Sequence, residues 1–227
     1  MGLLGAAAAM PVIGTPVLAN TKVNVGALRF TSHAPSFVAF ERGYFAEEGL
    51  DVDFRFFQAA QPMAVAIASG DADYAVTAIS GGLISLAEKG ATKVIGGALS
   101  EEPGIHGQMI LASTPAFEAG LTSPAMLDGK SYAVTQPGSS FHYMGSKIST
   151  AEGANVSFKP LQKVGAIIGA MKSGQVDAMI MVPHIAKPLE RAGAGKIIGW
   201  LRDYAPDYQI SVLITSTKNI QQKPELV

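Results

Sequence analysis

The 227-residue sequence contains no cysteine, which excludes disulfides, thiolate metal sites, cysteine nucleophiles and a lipid-modified N-terminal cysteine. Charge is scarce as well: 15% of the residues are charged and the formal net charge is −1. With basic and acidic residues interspersed, there is no field of one sign to attract nucleic acid or an anionic membrane. The four histidines form no i, i+4 pair, so neither a metal site nor a cofactor is expected. A P-loop is missing, as is any Ser-His-Asp ordering around a nucleophile elbow. What is left is a 48% hydrophobic chain, long enough to bury a substantial core in one or two domains.

Part of that apolarity sits at the start. Leu3 to Leu18 are uncharged and rich in alanine, and Val17-Leu18-Ala19 places small or β-branched residues where a signal peptidase reads them. The expectation is a signal peptide over residues 1–19, atypical in that no Lys or Arg precedes the apolar run, with the mature chain beginning at Asn20. Gly5, Pro11, Gly14 and Pro16 argue against a buried helix, and the stretch is too short and broken for a good membrane span.

One pattern occurs twice. Ala66-Ile67-Ala68-Ser69-Gly70-Asp71-Ala72-Asp73 leads into Tyr74-Ala75-Val76, and 104 positions later Ala170-Met171-Lys172-Ser173-Gly174-Gln175-Val176-Asp177 leads into Ala178-Met179-Ile180. Each copy reads as a helix capped by glycine, an acidic loop residue, and a short apolar strand of the kind buried in a parallel sheet. Two copies suggest two similar α/β lobes with a ligand cleft between facing strand ends, although helix-Gly-strand junctions also recur in ordinary α/β proteins. Asp73 and Asp177 read as loop caps that accept backbone hydrogen bonds.

The rest of the chain alternates strand and helix. Strands are expected at Lys22–Phe30, Asp51–Phe57, Tyr74–Thr77, Lys93–Leu99, Ser131–Val134, Val156–Phe158, Ala178–Val182 and Lys196–Leu201. Between them come helices after the Ser32-His33-Ala34-Pro35 turn to about Glu48, near Pro62, from Gly81, after Ser123-Pro124, after Gly138-Ser139-Ser140, at Val164–Lys172 and at Ile185–Ala192. Such alternation implies mostly parallel sheets flanked by helices. The boundaries expected are lobe one over residues 20–103 plus 205–227 and lobe two over 104–204, joined by short hinge strands.

The string Phe40-Glu41-Arg42-Gly43-Tyr44-Phe45-Ala46-Glu47-Glu48-Gly49-Leu50-Asp51-Val52, the two Ser-Gly-x-x-Asp junctions, Leu127-Asp128-Gly129-Lys130 before a strand and Gly138-Ser139-Ser140 opening a helix resemble periplasmic solute-binding proteins of ABC importers. The branch resembled handles nitrate, taurine, aliphatic sulfonates and pyrimidine precursors of thiamine. The resemblance implies a two-lobed, type 2 periplasmic-binding-protein fold that closes on its solute like a hinge. It implies a permease in the inner membrane as partner, a periplasmic location, no catalysis and no nucleic acid, for a protein expected to be a monomer. Members of that branch continue for several helices past the point matching Val227, so a fragment or shortened homologue with an incomplete lobe one is expected.

Candidate ligand contacts follow from where helices begin. Gly138, Ser139 and Ser140 combine close backbone approach with two hydroxyls beside free helix amides; Ser139 could equally be an N-cap serving its own helix. Thr77, Ser80 and Gly81 occupy the matching turn of lobe one, and Ser32 and His33 the loop after the first strand. Gln58 and Phe141, with Phe37, Phe57 and Tyr143 nearby, would suit an organic tail or a flat ring, unless these aromatics are core. Pro183, after the second copy's strand, is a candidate for the lobe-two wall. No acidic residue stands out to meet a ring amine, which favours a sulfonate- or taurine-like anion over a pyrimidine.

Two other classes share this architecture. A pyrimidine synthase of thiamine biosynthesis resembles this branch, but it relies on a cysteine-rich, iron-associated motif that a chain without cysteine cannot supply. The sensing domain of a transcription regulator would follow a helix-turn-helix rather than an export-like segment.

Overall fold

The computed structural model describes residues 20–105 and 107–227; the segment read as a signal peptide lies outside them. The chain runs β1 (Thr21–Ala27), α1 (Ala34–Glu41), α2 (Tyr44–Glu47), β2 (Leu50–Phe56), α3 (Ala60–Ser69), β3 (Tyr74–Ala78), α4 (Gly81–Glu88) and β4 (Thr92–Ser100). It then crosses to β5 (Met109–Ser113), α5 (Thr114–Glu118), β6 (Ser131–Val134), α6 (Ser140–Ala151), β7 (Ser157–Pro160), α7 (Val164–Lys172), β8 (Ala178–Met181), α8 (Pro183–Arg191) and β9 (Gly195–Trp200). A second crossing returns it to β10 (Gln209–Ser216) and α9 (Thr217–Gln222).

Ten strands form two five-stranded sheets of the same design, ordered β2-β1-β3-β10-β4 and β7-β6-β8-β5-β9. In each, the first three strands are parallel, as the strand-helix alternation requires. The fourth strand is antiparallel to both neighbours. Four strands of each sheet therefore run one way, as a mostly parallel sheet requires, and the single reversed strand has a topological reason. β5 and β10 are delivered by the interlobe crossings and not by a helical crossover, so nothing obliges them to run with the rest.

The repeated junction is built alike in both lobes. Gly70 and Gly174 take positive φ (87° and 70°) just past α3 and α7, the left-handed cap that glycine adopts without a Cβ clash. Asp73 Oδ2 then accepts the Asn24 amide at 2.8 Å, while Asp177 Oδ2 accepts the Ser131 amide at 2.8 Å and its hydroxyl at 2.7 Å. Each aspartate thereby ties its loop to the start of the lobe's central parallel strand.

Several local expectations change. The expected turn at Ser32 is a 3-10 turn (Thr31–His33), but the helix expected to run from it to about Glu48 is divided into α1 and α2, because Gly43 sits at φ 77° and ends the first helical run. The segment after Ser123-Pro124 is a 3-10 turn, Pro124–Met126, in which Ser123 makes no capping bond. Along β2 burial fades from Val52, which is buried, to Phe56, which is 40% exposed. β2 is an edge strand whose outer end is covered by Phe37 and Phe40 and by the Arg29 guanidinium over the Phe56 ring. β5 and β10 were not foreseen.

Lobe two holds one continuous core that joins β5, β6 and β8 to α6 and α7 through residues such as Leu111, Ile148, Met171 and Met179. Lobe one is divided between a cluster beneath α3 (Met63, Ile67, Ile214) and a smaller one across β1 and β2 (Val23, Val25, Val52, Tyr74). The second cluster borders an apolar cavity of about 410 Å3 reached by Leu226 and Val227.

Candidate ligand-binding cleft

The two sheets face each other across a cavity of about 40 Å3, enough for on the order of three water molecules. Lobe one contributes Leu28, Ser32, His33, Gln58, Gln61 and Ser80 to its wall; lobe two contributes Thr135, Ser139, Ser140, Phe141 and Val182. Gln108, just before β5, and Ser211, on β10, also line it. No Asp, Glu, Lys or Arg is among the lining residues.

Five helices begin at this cavity, α7 and α8 with the apolar Val164 and Val182 and the other three with polar residues. Ala60 and Gln61 open α3, whose N-terminus has no side-chain cap. Ser80 caps α4 by accepting the Leu83 amide at 3.3 Å. Ser139 caps α6 by accepting the His142 amide at 3.2 Å, so the capping role foreseen for it is real, and its hydroxyl hydrogen stays available for a second partner. The first amides of a helix have no intrahelical acceptor, and the aligned peptide dipoles put partial positive charge there. An uncharged wall therefore presents a positive potential to the cavity.

His33 is 1% exposed. The Leu28 amide points at its Nδ1 from 3.5 Å, which leaves the ring proton on Nε2. Burial disfavours the imidazolium and pushes the pKa down to about 4, so at neutral pH this ring can donate without carrying charge.

Of the residues singled out from sequence, Ser32, His33, Gln58, Ser80, Ser139, Ser140 and Phe141 come together on this one cavity. Gly81 and Gly138 lie beside it, where the Gly81 amide donates to the Gly138 carbonyl across the lobes at 2.8 Å. Thr77 does not line the cavity. Its hydroxyl donates to the Ala60 carbonyl at 3.4 Å and so ties β3 to the start of α3. Pro183 opens α8, and it is Val182, one residue earlier, that reaches the wall. Phe37 stacks on Phe54 within lobe one, and Phe57 packs on the lobe-one core.

The sequence reading missed Gln61, Gln108 and Ser211. A polar residue embedded in an apolar strand was the available signal for the last two: Gln108 precedes Met109-Ile110-Leu111, and Ser211 lies between Ile210 and Val212.

Further contacts bridge the lobes on either side of the cavity. On one side Tyr143 and Tyr208 stack with centroids 5.2 Å apart, and the Tyr208 hydroxyl donates to the Ile79 carbonyl at 3.3 Å. On the other, Thr31 Oγ1 and His184 Nδ1 are 3.1 Å apart, and Phe30 lies against the His184 ring at 5.9 Å. The lobes are closed on one another.

The family model described as NMT1/THI5 like matches residues 30–227. Comparison with curated protein sequences gives no match. Among solved structures, the chain is similar to the alkanesulfonate-binding protein SsuA of Xanthomonas axonopodis pv. citri bound to MOPS, with 17% identity and TM-score 0.70 over 88% of this chain and 67% of that one. The ligand-binding component of an ABC-type import system from Staphylococcus aureus, with zinc bound, gives TM-score 0.74 at 15% identity over 91% and 70%. The periplasmic nitrate-binding protein NrtA of Synechocystis PCC 6803 gives 0.69 at 16% over 91% and 58%. At such identities the likeness establishes the fold, that of a periplasmic binding protein.

Proposed function

Because the chain belongs to the NMT1/THI5-like family, we propose that it is the solute-binding component of an ABC importer, exported to the periplasm, which captures a small organic anion of the sulfonate or taurine type and presents it to an inner-membrane permease. The observation that carries this reading is the convergence of the α3, α4 and α6 N-termini on an interlobe cavity with no charged residue in its wall. Helix-terminal amides and hydroxyls stabilise an anion by oriented dipoles without needing a counter-charge. Phe30, Phe141 and Met144, which also line the cavity, offer apolar surface to a carbon tail.

In this mechanism no bond is made or broken. The cavity lies between lobes that are closed on one another, so entry requires the lobes to separate and release depends on their reopening. Residues 20–103 plus 205–227 and residues 104–204 would be the moving bodies, with hinges in the two crossings. The ligand shifts the population toward closure because only the closed form brings both walls to it. The working unit is a monomer acting on small solutes and a permease, without nucleic acid.

Titration calorimetry with taurine, ethanesulfonate, nitrate and a hydroxymethylpyrimidine tests the proposal. Binding of a sulfonate, weakened about 10- to 100-fold in Ser140→Ala, is the expected result. Tight binding of the pyrimidine alone would replace the anion reading by the heterocycle one.

A further inference from the structure

Three polar atoms on the cavity wall are fully buried and have no partner in the protein. Gln61 Oε1, Gln108 Oε1 and Ser211 Oγ are each buried without a hydrogen-bond partner, and all three residues line the same cavity. Gln108 is 3% exposed and Ser211 1%. A polar atom buried without a protein partner must be met by whatever fills the cavity, water or solute, so three of them on one wall call for an explanation. Their positions supply one. Gln108 precedes β5 and Ser211 lies on β10, the strands that carry the chain between the lobes, and Gln61 is in the first turn of α3.

Two of the unpaired atoms also differ in chemistry from the rest of the wall, and the third, the Ser211 hydroxyl, can accept as well as donate. Helix-terminal amides, cap hydroxyls and the neutral His33 ring offer donors, whereas the two glutamine oxygens only accept. A simple anion has acceptors alone and would leave them unmet. We infer that Gln61, Gln108 and Ser211 read a second, hydrogen-bond-donating group of the solute, a neutral hydroxyl or amide N–H, set apart from the anionic group that faces the helix N-termini. The donor is neutral because no carboxylate lines the cavity, and an ammonium buried against uncharged groups would forfeit its hydration without a counter-ion.

This inference rests on the solute-binding reading, and two measurements separate them. The first needs no ligand: melting of the empty protein with Ser211→Ala and with Gln108→Met. Groups held for a solute should give an unchanged or higher melting temperature when removed. A fall in both would mark them as structural and overturn the inference. The second is calorimetry with isethionate, ethanesulfonate and taurine, which share the sulfonate and differ in carrying a hydroxyl, nothing or an ammonium. Isethionate should bind about 10-fold more tightly than ethanesulfonate, and Gln108→Met should bring that ratio close to one. Equal affinity of the unaltered protein for these two, or preference for taurine over isethionate, would overturn the inference. If no sulfonate binds, the anion reading falls alone, and the melting temperatures still decide the role of the three residues.

Discussion

Lobe one and lobe two share strand order, strand direction and a capped helix-to-strand junction, yet they are packed differently. In lobe two the sheet is closed on both faces: β5 and β8 are buried along their whole length, and a single core joins the helices of both sides. In lobe one no residue of α1 is buried, the core is split, and Val38, Phe40, Val65 and Val94 are about half exposed, at 54%, 47%, 54% and 52%. Topology therefore sets which strands meet, and the covering of the sheet sets how much free energy the meeting yields. The larger share of stability resides in lobe two.

The sharpest test of that contrast uses two leucines on corresponding strands. Leu111 on β5 is fully buried in the lobe-two core, while Leu213 on β10 is half-buried beside the apolar cavity of lobe one. Leu111→Ala should cost about 3–5 kcal/mol in urea unfolding and Leu213→Ala about 1–2 kcal/mol. Equal losses would break the comparison.

A second contrast depends on pH. His33, in lobe one, has its folded pKa depressed by burial to about 4, against 6.5 for the free side chain. Between those values the unfolded chain binds the extra proton. The stabilisation is therefore complete above about pH 6.5 and is lost as the pH falls toward 4, to a limit of about 3 kcal/mol. His33→Gln should flatten the acid limb of a stability-against-pH curve, and hydrogen exchange at pH 5 should show β1 and its neighbours opening before β6. An unchanged slope in the variant would assign the acid sensitivity elsewhere.

The smallest expected effect separates the paired glycines. Gly70→Ala places a Cβ at φ 87° in open space and should cost about 1 kcal/mol. Gly174→Ala meets the same backbone penalty at φ 70° and also brings its Cβ to 3.1 Å from Pro115 Cγ, so its melting temperature should fall further. Matching shifts would show that the ring of Pro115 gives way freely.

The elements legible in the sequence were those bounded by punctuation. Gly70 and Gly174 fixed the ends of α3 and α7, and Ser139 fixed the start of α6, because caps are local and use few residue types. β5 and β10 escaped for a physical reason. A strand delivered by a crossing has no helix before it, and its antiparallel partners are remote in sequence, with Leu213 opposite both Val76 and Gly96. The site divided along the same line. Residues at helix starts, such as Ser80 and Ser140, were found; Gln108 and Ser211, which travel with the unforeseen strands, were not. The boundary at Gly43 was missed because the apolar periodicity runs on from α1 into α2, and a backbone turn at positive φ leaves that periodicity untouched.

The late arrival of β10 also has a consequence for synthesis. Lobe one's sheet is interrupted between β3 and β4 until residues 209–216 appear, after all of lobe two has been made. At about 5–20 residues per second, the interval between the end of β4 and the start of β10 lasts about 5–20 s. Throughout it β3 and β4 each present an unpaired edge, the kind of surface that invites pairing with another chain. Until β10 has been made a nascent chain of this design cannot complete the sheet of its first lobe, and holding factors that cover those edges matter more to its yield than fast local folding.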